Sequence, residues 1–402
     1  MSDRVVITGL GVVSSIGIGR QEFWESLLAG KSGISPVSSF DTTNHFTHYG
    51  GEVRNFKAED FIPAERLPFM NRATQMAVAA AKLAWEDAGL TAADAADHTI
   101  GVSHGTTLGA AQAIEDVDLL LIQKQEMRKG LLFQMPTHTA PSAIAREFNS
   151  HGPNFMFSTA CAAGNYAIAY AYDLIRTNRA HIVLAGASDA VSRIEYTGFN
   201  QFKAVAPEKC QPFDKNRKGM IPAEGAGIVI LESLEAAIRR KATIYAEIGG
   251  YGLSCDAHHM TTATIEGIAA CMNKALLEAG IKKEEVSYIS AHGTGTIAND
   301  KIECASIREV FGPLYKAIPV SSIKSMLGHT MGAASALEAV TCALVARYDM
   351  IPPTINYETP DPECDIDCVP NKARAHKVNI ALNNSYAFGG NNASLVIKKF
   401  LQ

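Results

Sequence analysis

Two stretches of this chain read as copies of one another, and a copied unit restricts the fold more than any single motif does. Residues 77–107 run from an Ala-rich segment through Glu86-Asp87-Ala88-Gly89-Leu90 and a linker into an apolar run, Ile100-Gly101-Val102-Ser103, that ends in His104-Gly105-Thr106-Thr107. Residues 267–296 repeat the order: an Ala-rich segment, Glu278-Ala279-Gly280-Ile281, a linker, Tyr288-Ile289-Ser290-Ala291, then His292-Gly293-Thr294-Gly295-Thr296. Gly280 follows Gly89 by 191 residues and His292 follows His104 by 188, a near-constant offset. Each half also opens on a β-branched run closed by glycines, Val5-Val6-Ile7-Thr8-Gly9-Leu10-Gly11 and Ile244-Tyr245-Ala246-Glu247-Ile248-Gly249-Gly250.

Small-residue helices between β-branched strands imply βαβ-type units and a largely buried sheet, so the class is α/β. The expected architecture is two similar sheets sandwiching helices. The Ala-rich segments at 162–172 and 332–346 suit close helix packing in the middle of such a core. No Pro- or Ser-rich linker parts the halves, so one body is expected, with domains at 1–243 and 244–402.

Composition excludes several function classes. With 47% hydrophobic and 19% charged residues the chain is globular, neither disordered nor fibrous. A net charge of −5 gives no basic field for nucleic acid. The start lacks a signal peptide's apolar region, and every apolar run is broken well short of the ~20 residues that span a bilayer, so a cytoplasmic protein is expected with no membrane partner. Eight scattered cysteines then read as reduced thiols. Cys364 and Cys368 are a close pair with no second pair nearby, so no metal site is expected.

Four segments carry residues suited to chemistry. In Phe157-Ser158-Thr159-Ala160-Cys161-Ala162-Ala163-Gly164-Asn165 a Ser/Thr stretch turns into a helical run, which puts Cys161 near a helix N-terminus. The dipole there favours a thiolate, and no acidic neighbour in sequence opposes it. His292-Gly293-Thr294-Gly295-Thr296 follows a strand end, where open α/β sheets place ligand-binding residues. Lys324, Gly328 and His329 lead into a helix containing Glu338. Asn383-Asn384-Ser385-Tyr386-Ala387-Phe388-Gly389-Gly390-Asn391-Asn392 offers a tight glycine turn. Gly293 and Gly295 lack the third glycine and the lysine of a phosphate loop, so nucleotide binding is not expected.

In combination these segments resemble the elongating (type II) β-ketoacyl-acyl carrier protein synthases of the thiolase superfamily, from Val5 to Lys399. Cys161 lies where that family has its nucleophile elbow, His292-Gly293-Thr294-Gly295-Thr296 is similar to its first histidine loop, and Lys324 with Gly328-His329 to its second. Pro212-Phe213-Asp214 through Glu224-Gly225-Ala226-Gly227 resembles a further signature, and Phe388-Gly389-Gly390 the gating loop. The resemblance implies the thiolase fold, a layered α-β-α-β-α sandwich of duplicated halves. It implies decarboxylative Claisen condensation of an acyl-Cys161 enzyme with malonyl-acyl carrier protein, giving 3-oxoacyl-acyl carrier protein. Backbone N–H groups of Cys161 and Phe388 would form the oxyanion hole, with Gly389 and Ala387 in the gate. Neutral His292 and His329 would stabilise the enolate, Lys324 and Glu338 would tune them, Asp300 would support the loop, and Thr294 and Thr296 would line the malonyl site. No cofactor is implied, because the phosphopantetheine arm belongs to the carrier protein.

Two departures stand out. Ala387 replaces the family's usual Gly, which predicts a stiffer gate, and Thr106 stands where the acyl-pocket floor is often apolar, which predicts a smaller, more polar floor. Both point to a specialised synthase building polyene or polyketide chains. The partner would be an acidic acyl carrier protein meeting a basic rim drawn from Arg66, Arg72, Lys124, Arg128, Lys129 and Lys203. A homodimer, or a heterodimer with a chain-length-factor homologue, is implied as well. The alternative is a non-catalytic chain-length or scaffold subunit, against which Cys161 argues. Initiating synthases use Cys-His-Asn and degradative thiolases a second C-terminal Cys, whereas here His329 is present and no Cys follows 368.

Overall fold

The computed structural model describes residues 4–401. Of the main sheet's eleven strands, ten make its continuous order, β1 (Val5–Ser14), β2 (Ile100–Gly105), β3 (Asn154–Phe157), β4 (Ile182–Asp189) and β5 (Gly225–Ser233) in the first half, then β6 (Ala246–Cys255), β7 (Tyr288–Ser290), β8 (Val320–Ser321), β9 (Ile380–Tyr386) and β10 (Asn391–Lys399) in the second; the short Gly17–Ile18 strand pairs β1 alone. The helices that matter for the site are α1 (Arg72–Asp87), α2 (Ala111–Ile122), α3 (Ala163–Arg176), α4 (Arg193–Gln201), α5 (Ile265–Glu278), α6 (Ile297–Phe311) and α7 (Gly332–Tyr348).

The hydrogen-bonded order is β3-β2-β4-β5-β1-β6-β10-β9-β7-β8. Each strand of the first half therefore holds the place its counterpart, five numbers on, holds in the second. Directions match too: β1·β5, β4·β5, β6·β10 and β9·β10 are antiparallel, whereas β2·β3, β2·β4, β7·β8 and β7·β9 are parallel. The expected two sheets differ in one respect, for they are bonded into one. The opening strand of each half is an edge of its own set, and the two edges pair antiparallel at Val5↔Ile248, Val6↔Glu247 and Ile7↔Ala246, which covers both edges at that end.

The layers alternate as expected. α1 covers β1 and β5 on one outer face, α5 covers β6 and β10 on the other, and α3 and α7 lie between the halves. α7 is buried from Gly332 to Ala346, which explains its apolar sequence on all sides. Outer helices approach by matching glycines: a Cβ on Gly11 would lie 1.8 Å from the Ala80 carbonyl oxygen of α1, and one on Gly252 2.1 Å from that of Cys271 on α5. No helix among the described residues is long and apolar enough to cross a membrane.

Candidate functional site

The N-termini of α3 and α7 open onto one cavity. In both halves the residue that turns the chain into the helix is left-handed, Ala160 at φ 48° and Met331 at φ 50°. That conformation costs an L-residue roughly 1–2 kcal/mol and persists only where the surroundings enforce it. Here the Ser385 hydroxyl donates to the Cys161 carbonyl at 2.9 Å. Cys161 is thereby set at the head of α3 and is 8% exposed.

Cys161 Sγ and one nitrogen each of His292 and His329 lie within 4.8 Å of one another. The imidazole planes cross at 83° with centroids 5.5 Å apart. His329 is fixed by its own backbone N–H, which donates to Ile221 O at 2.6 Å, and by the Met331 N–H, which donates to His329 Nδ1 at 3.1 Å. Because Nδ1 accepts, a neutral His329 carries its proton on Nε2. His292 sits on a loop held by a buried carboxylate: Glu303 of α6 accepts from the N–H groups of His292 at 2.8 Å and Gly293 at 2.7 Å. Burial, reinforced by the Lys324 charge, holds both imidazoles well below their ordinary value, so both are neutral.

Lys324 and Glu338 form an ion pair behind the histidines, each side chain at most 2% exposed. Burial pushes Glu338 up to about 7 against the opposing pull of Lys324. Cys161 departs from the sequence expectation. Burial pushes its thiol up to about 12; Lys324 opposes this, whereas Asp189 and Glu195 add to it. Both carboxyls are far from Cys161 in sequence, so nothing local announced them. A resting thiol must give up its proton as it attacks; because His329 carries its proton on Nε2, the His292 imidazole is the acceptor within reach.

The cavity measures about 410 Å³, and Cys161, His292, His329, Thr294, Thr296 and Phe388 are among its lining residues. One expected lining residue is set back from it. The Thr106 hydroxyl donates to Asp189 at 2.6 Å and Thr107 lines the wall instead. Asp300 accepts from the N–H groups of Phe213 at 2.8 Å and Gly295 at 3.2 Å, bracing the loop while its neighbour Asn299 faces the cavity. In the gate, Ala387 is extended at φ −117° and the left-handed positions are Gly389 and Gly390, so this conformation makes no demand on residue 387 for glycine. The Phe388 ring packs on Phe199 and Phe202 of the α4 segment at 6.0 and 6.4 Å.

Sequence reasoning missed Glu303, Phe199 and Phe202. A carboxyl seven residues beyond Thr296 on the following helix was the available signal for the first; the aromatic pair carried none. Of the basic candidates, Arg66 pairs with Glu147, Arg72 with Glu224 and Arg128 with Asp116, which leaves Lys124, Lys129 and Lys203 exposed and unpaired among the described residues. Lys203 adjoins Phe202 at the cavity.

Comparison with known proteins agrees with this geometry. The model of the β-ketoacyl synthase N-terminal domain matches residues 2–237, and that of the C-terminal domain matches residues 245–358. A 3-oxoacyl-[acyl-carrier-protein] synthase 2 from Synechocystis sp. (strain ATCC 27184 / PCC 6803 / Kazusa) is 40% identical over 99% of this chain and 98% of its own. Among solved structures, the ishigamide ketosynthase/chain length factor superposes with a TM-score of 0.97 at 44% identity over 100% of both chains. A type II PKS ketosynthase bound to the hexaketide, solved with its acyl-carrier protein, gives 0.92 at 34% over 100% of both.

Proposed function

The chain belongs to the β-ketoacyl synthase family, and from that premise we propose how its own residues divide the work. It is a condensing acyltransferase of fatty-acid or polyketide chain elongation. In the proposed first step Cys161 Sγ attacks an acyl thioester. The C–S bond to the enzyme forms, the carrier's C–S bond breaks, and the thiol proton passes through an imidazole to the departing carrier thiol. Backbone N–H groups of Cys161 and Phe388 meet the transient oxyanion.

In the second step malonyl thioester loses carbon dioxide, and the electron pair of the broken C–C bond becomes an enolate. His329 Nε2–H and the His292 ring donate to the enolate oxygen. The enolate carbon attacks the acyl-Cys161 carbonyl, a C–C bond forms, the Cys161 C–S bond breaks to release the 3-oxoacyl product, and the departing thiolate takes up a proton from water to restore the resting thiol. The observation that carries this reading is the His329 ring, whose Nδ1 is occupied by the Met331 N–H, leaving Nε2–H to donate toward the same 4.8 Å cluster as Cys161. Lys324 and Glu338 hold the histidine pair in a fixed field, Asp300 braces the loop, and Thr294 and Thr296, bonded to each other at 2.9 Å, face the malonyl group.

Both acyl groups arrive on the phosphopantetheine arm of an acyl carrier protein, with Lys203 and its basic neighbours at the mouth. The assembly is a dimer, homotypic or with a chain-length-factor homologue. Its support is the outer edge of β3, unpaired among the described residues, with Phe155 exposed there and Leu132 and Phe133 exposed elsewhere in the same half. The halves 1–243 and 244–402 act as two fused domains, in a cytoplasm that keeps the eight free cysteines reduced. The substrate is a polyketide- or polyene-type chain, a reading supported by the 44% identity to the ishigamide ketosynthase/chain length factor. Intact mass spectrometry after incubation with acyl carrier proteins bearing saturated and polyenoyl chains tests this. The expected result is an acyl adduct on Cys161, favouring polyenoyl chains and converted on adding malonyl carrier protein. An absent adduct in the presence of a purified partner subunit would sink the reading in favour of a scaffold.

A further inference from the structure

α4 turns two aromatic rings to the catalytic cavity, and one turn deeper on the same helix face, behind the lining, lies a buried acid. Glu195, Phe199 and Phe202 stand at i, i+4 and i+7, the spacing that stacks side chains on one helix face. Phe202 and Phe199 line the cavity. Exposure falls along the stripe from 65% at Phe202, at the gate, to 3% at Glu195. Both Glu195 carboxyl oxygens are buried and lack a hydrogen-bond partner among the described residues. A buried polar group without a partner costs roughly 1–3 kcal/mol, so one that persists needs an explanation.

We propose that Glu195 is a specificity-determining residue of the acyl subsite, closing its inner end with a carboxylic acid that donates to an oxygen acceptor on the acyl chain and disfavours a saturated chain of the same length. This rests on the ketosynthase reading, because it needs an acyl chain on Cys161. Glu195 stands one helical turn from the cavity-lining Phe199 on the same face, which places it at the depth a bound chain reaches past that ring. Burial, with Asp189, Glu224 and Glu115 around it, keeps it protonated and hence a donor. A chain without oxygen at that depth, saturated or polyene, leaves the donor unpaired, whereas a hydroxyl or carbonyl at Glu195 satisfies it. A polyenoyl preference therefore holds for chains that stop short of Glu195. Discrimination of this kind is strong, because a site built to bond an oxygen rejects the analogue without one.

The test uses the full chain and a set of alkyl iodoacetamides of graded length, each saturated or carrying a terminal hydroxyl, with Cys161 labelling rates read by intact mass. The probes need only a thiol and a cavity, so condensation is followed separately as 3-oxoacyl product from malonyl carrier protein. At the lengths that reach the inner end, the wild-type protein should label about tenfold faster with the hydroxyl series. Glu195→Leu should reverse that preference, and Glu195→Gln, which keeps a donor, should retain it. Identical profiles for wild type and Glu195→Leu would overturn the proposal. So would an unchanged profile with a weakened dimer in sedimentation, which would assign the acid to a subunit contact. Normal discrimination without product formation would instead remove the ketosynthase reading. If Glu195→Leu does not fold, the wild-type preference and its retention in Glu195→Gln decide alone, and a wild type indifferent to the hydroxyl overturns the proposal.

Discussion

The two halves share strand order, helix placement and even a His-Gly-Thr sequence, yet their histidines have opposite fates. His104 lies inside β2, paired in register with Gly186 of β4 and Met156 of β3, and is fully buried with Nε2 2.9 Å from the Ser188 hydroxyl. β7 stops at Ser290, so His292 falls beyond the ladder on a loop whose Gly293 and Gly295 are left-handed. The lesson is that ladder length, not the motif, decides whether the residue braces a sheet or faces a ligand. The elbows diverge in the same way: Cys161 follows Ala160 at the head of α3, and Gly332 follows Met331 at the head of α7. Duplication supplied two helix N-termini aimed at one point, and each half then kept a different part of the chemistry.

The sharpest way to break this comparison is at the elbow. Cys161→Ala should abolish acyl loading, a loss of at least about 10³-fold for removal of the nucleophile, with the fold intact by circular dichroism. Residual adduct on another of the eight cysteines would show that the elbow is not where the asymmetry lies. Next come the histidines. His292→Ala should slow carbon dioxide release from malonyl carrier protein by about 10²–10³-fold, the usual worth of an oxyanion donor. His104→Ala should leave release within about threefold and lower the melting temperature, since burial pushes its imidazole down to about 3 and its role is packing. Equal losses of decarboxylation in the two variants would erase the distinction.

The repeat was legible because a copied unit repeats its glycines wherever strand and helix touch, and Gly11 and Gly252 keep that contact on both outer faces. The cysteine, both histidines and Lys324 were legible for a second reason, since each sits beside a turn that its own sequence announces. What escaped was whatever depends on elements distant in sequence. Asp189 and Glu195 raise the Cys161 thiol across the first half, and Glu303 reaches back from a helix. Thr106 was misplaced by one position, and one position at a strand end moves a side chain to the other face.

A smaller effect separates the carboxyls that hold the two loops. Asp189 takes the N–H groups of Thr107, Leu108 and Gly109, as Glu303 takes those of His292 and Gly293. Burial raises Glu303 from 4.5 to about 7. The native state therefore keeps a proton that the unfolded chain releases above about 4.5, so this group costs nothing below that pH and stability declines as pH rises toward 7. The ceiling on the loss is about 3 kcal/mol. Urea midpoints at pH 5 and 7.5 should differ less in Glu303→Gln than in wild type; an unchanged difference would move the effect to Glu338 or Asp189.

The smallest effect is expected where the sequence departs most visibly from the family. A Gly-to-Ala exchange matters when the backbone needs a positive φ, and Ala387 sits at φ −117° with the left-handed turns carried by Gly389 and Gly390. The loop is held by other contacts: the Gly389 N–H donates to Met260 O at 2.7 Å, the Ala387 N–H donates to Asn391 O at 3.0 Å, and the Phe388 ring rests on Phe199 and Phe202. Ala387→Gly should thus cost only the added freedom of the unfolded chain, about 0.5–1 kcal/mol, and change Cys161 loading less than threefold. Gly389→Ala forces a Cβ into φ 82° and should impair loading more than Ala387→Gly does. Stopped-flow loading of both variants ranks them, and a larger rate change from Ala387→Gly would mean that an open gate, with a different φ at residue 387, governs acyl transfer.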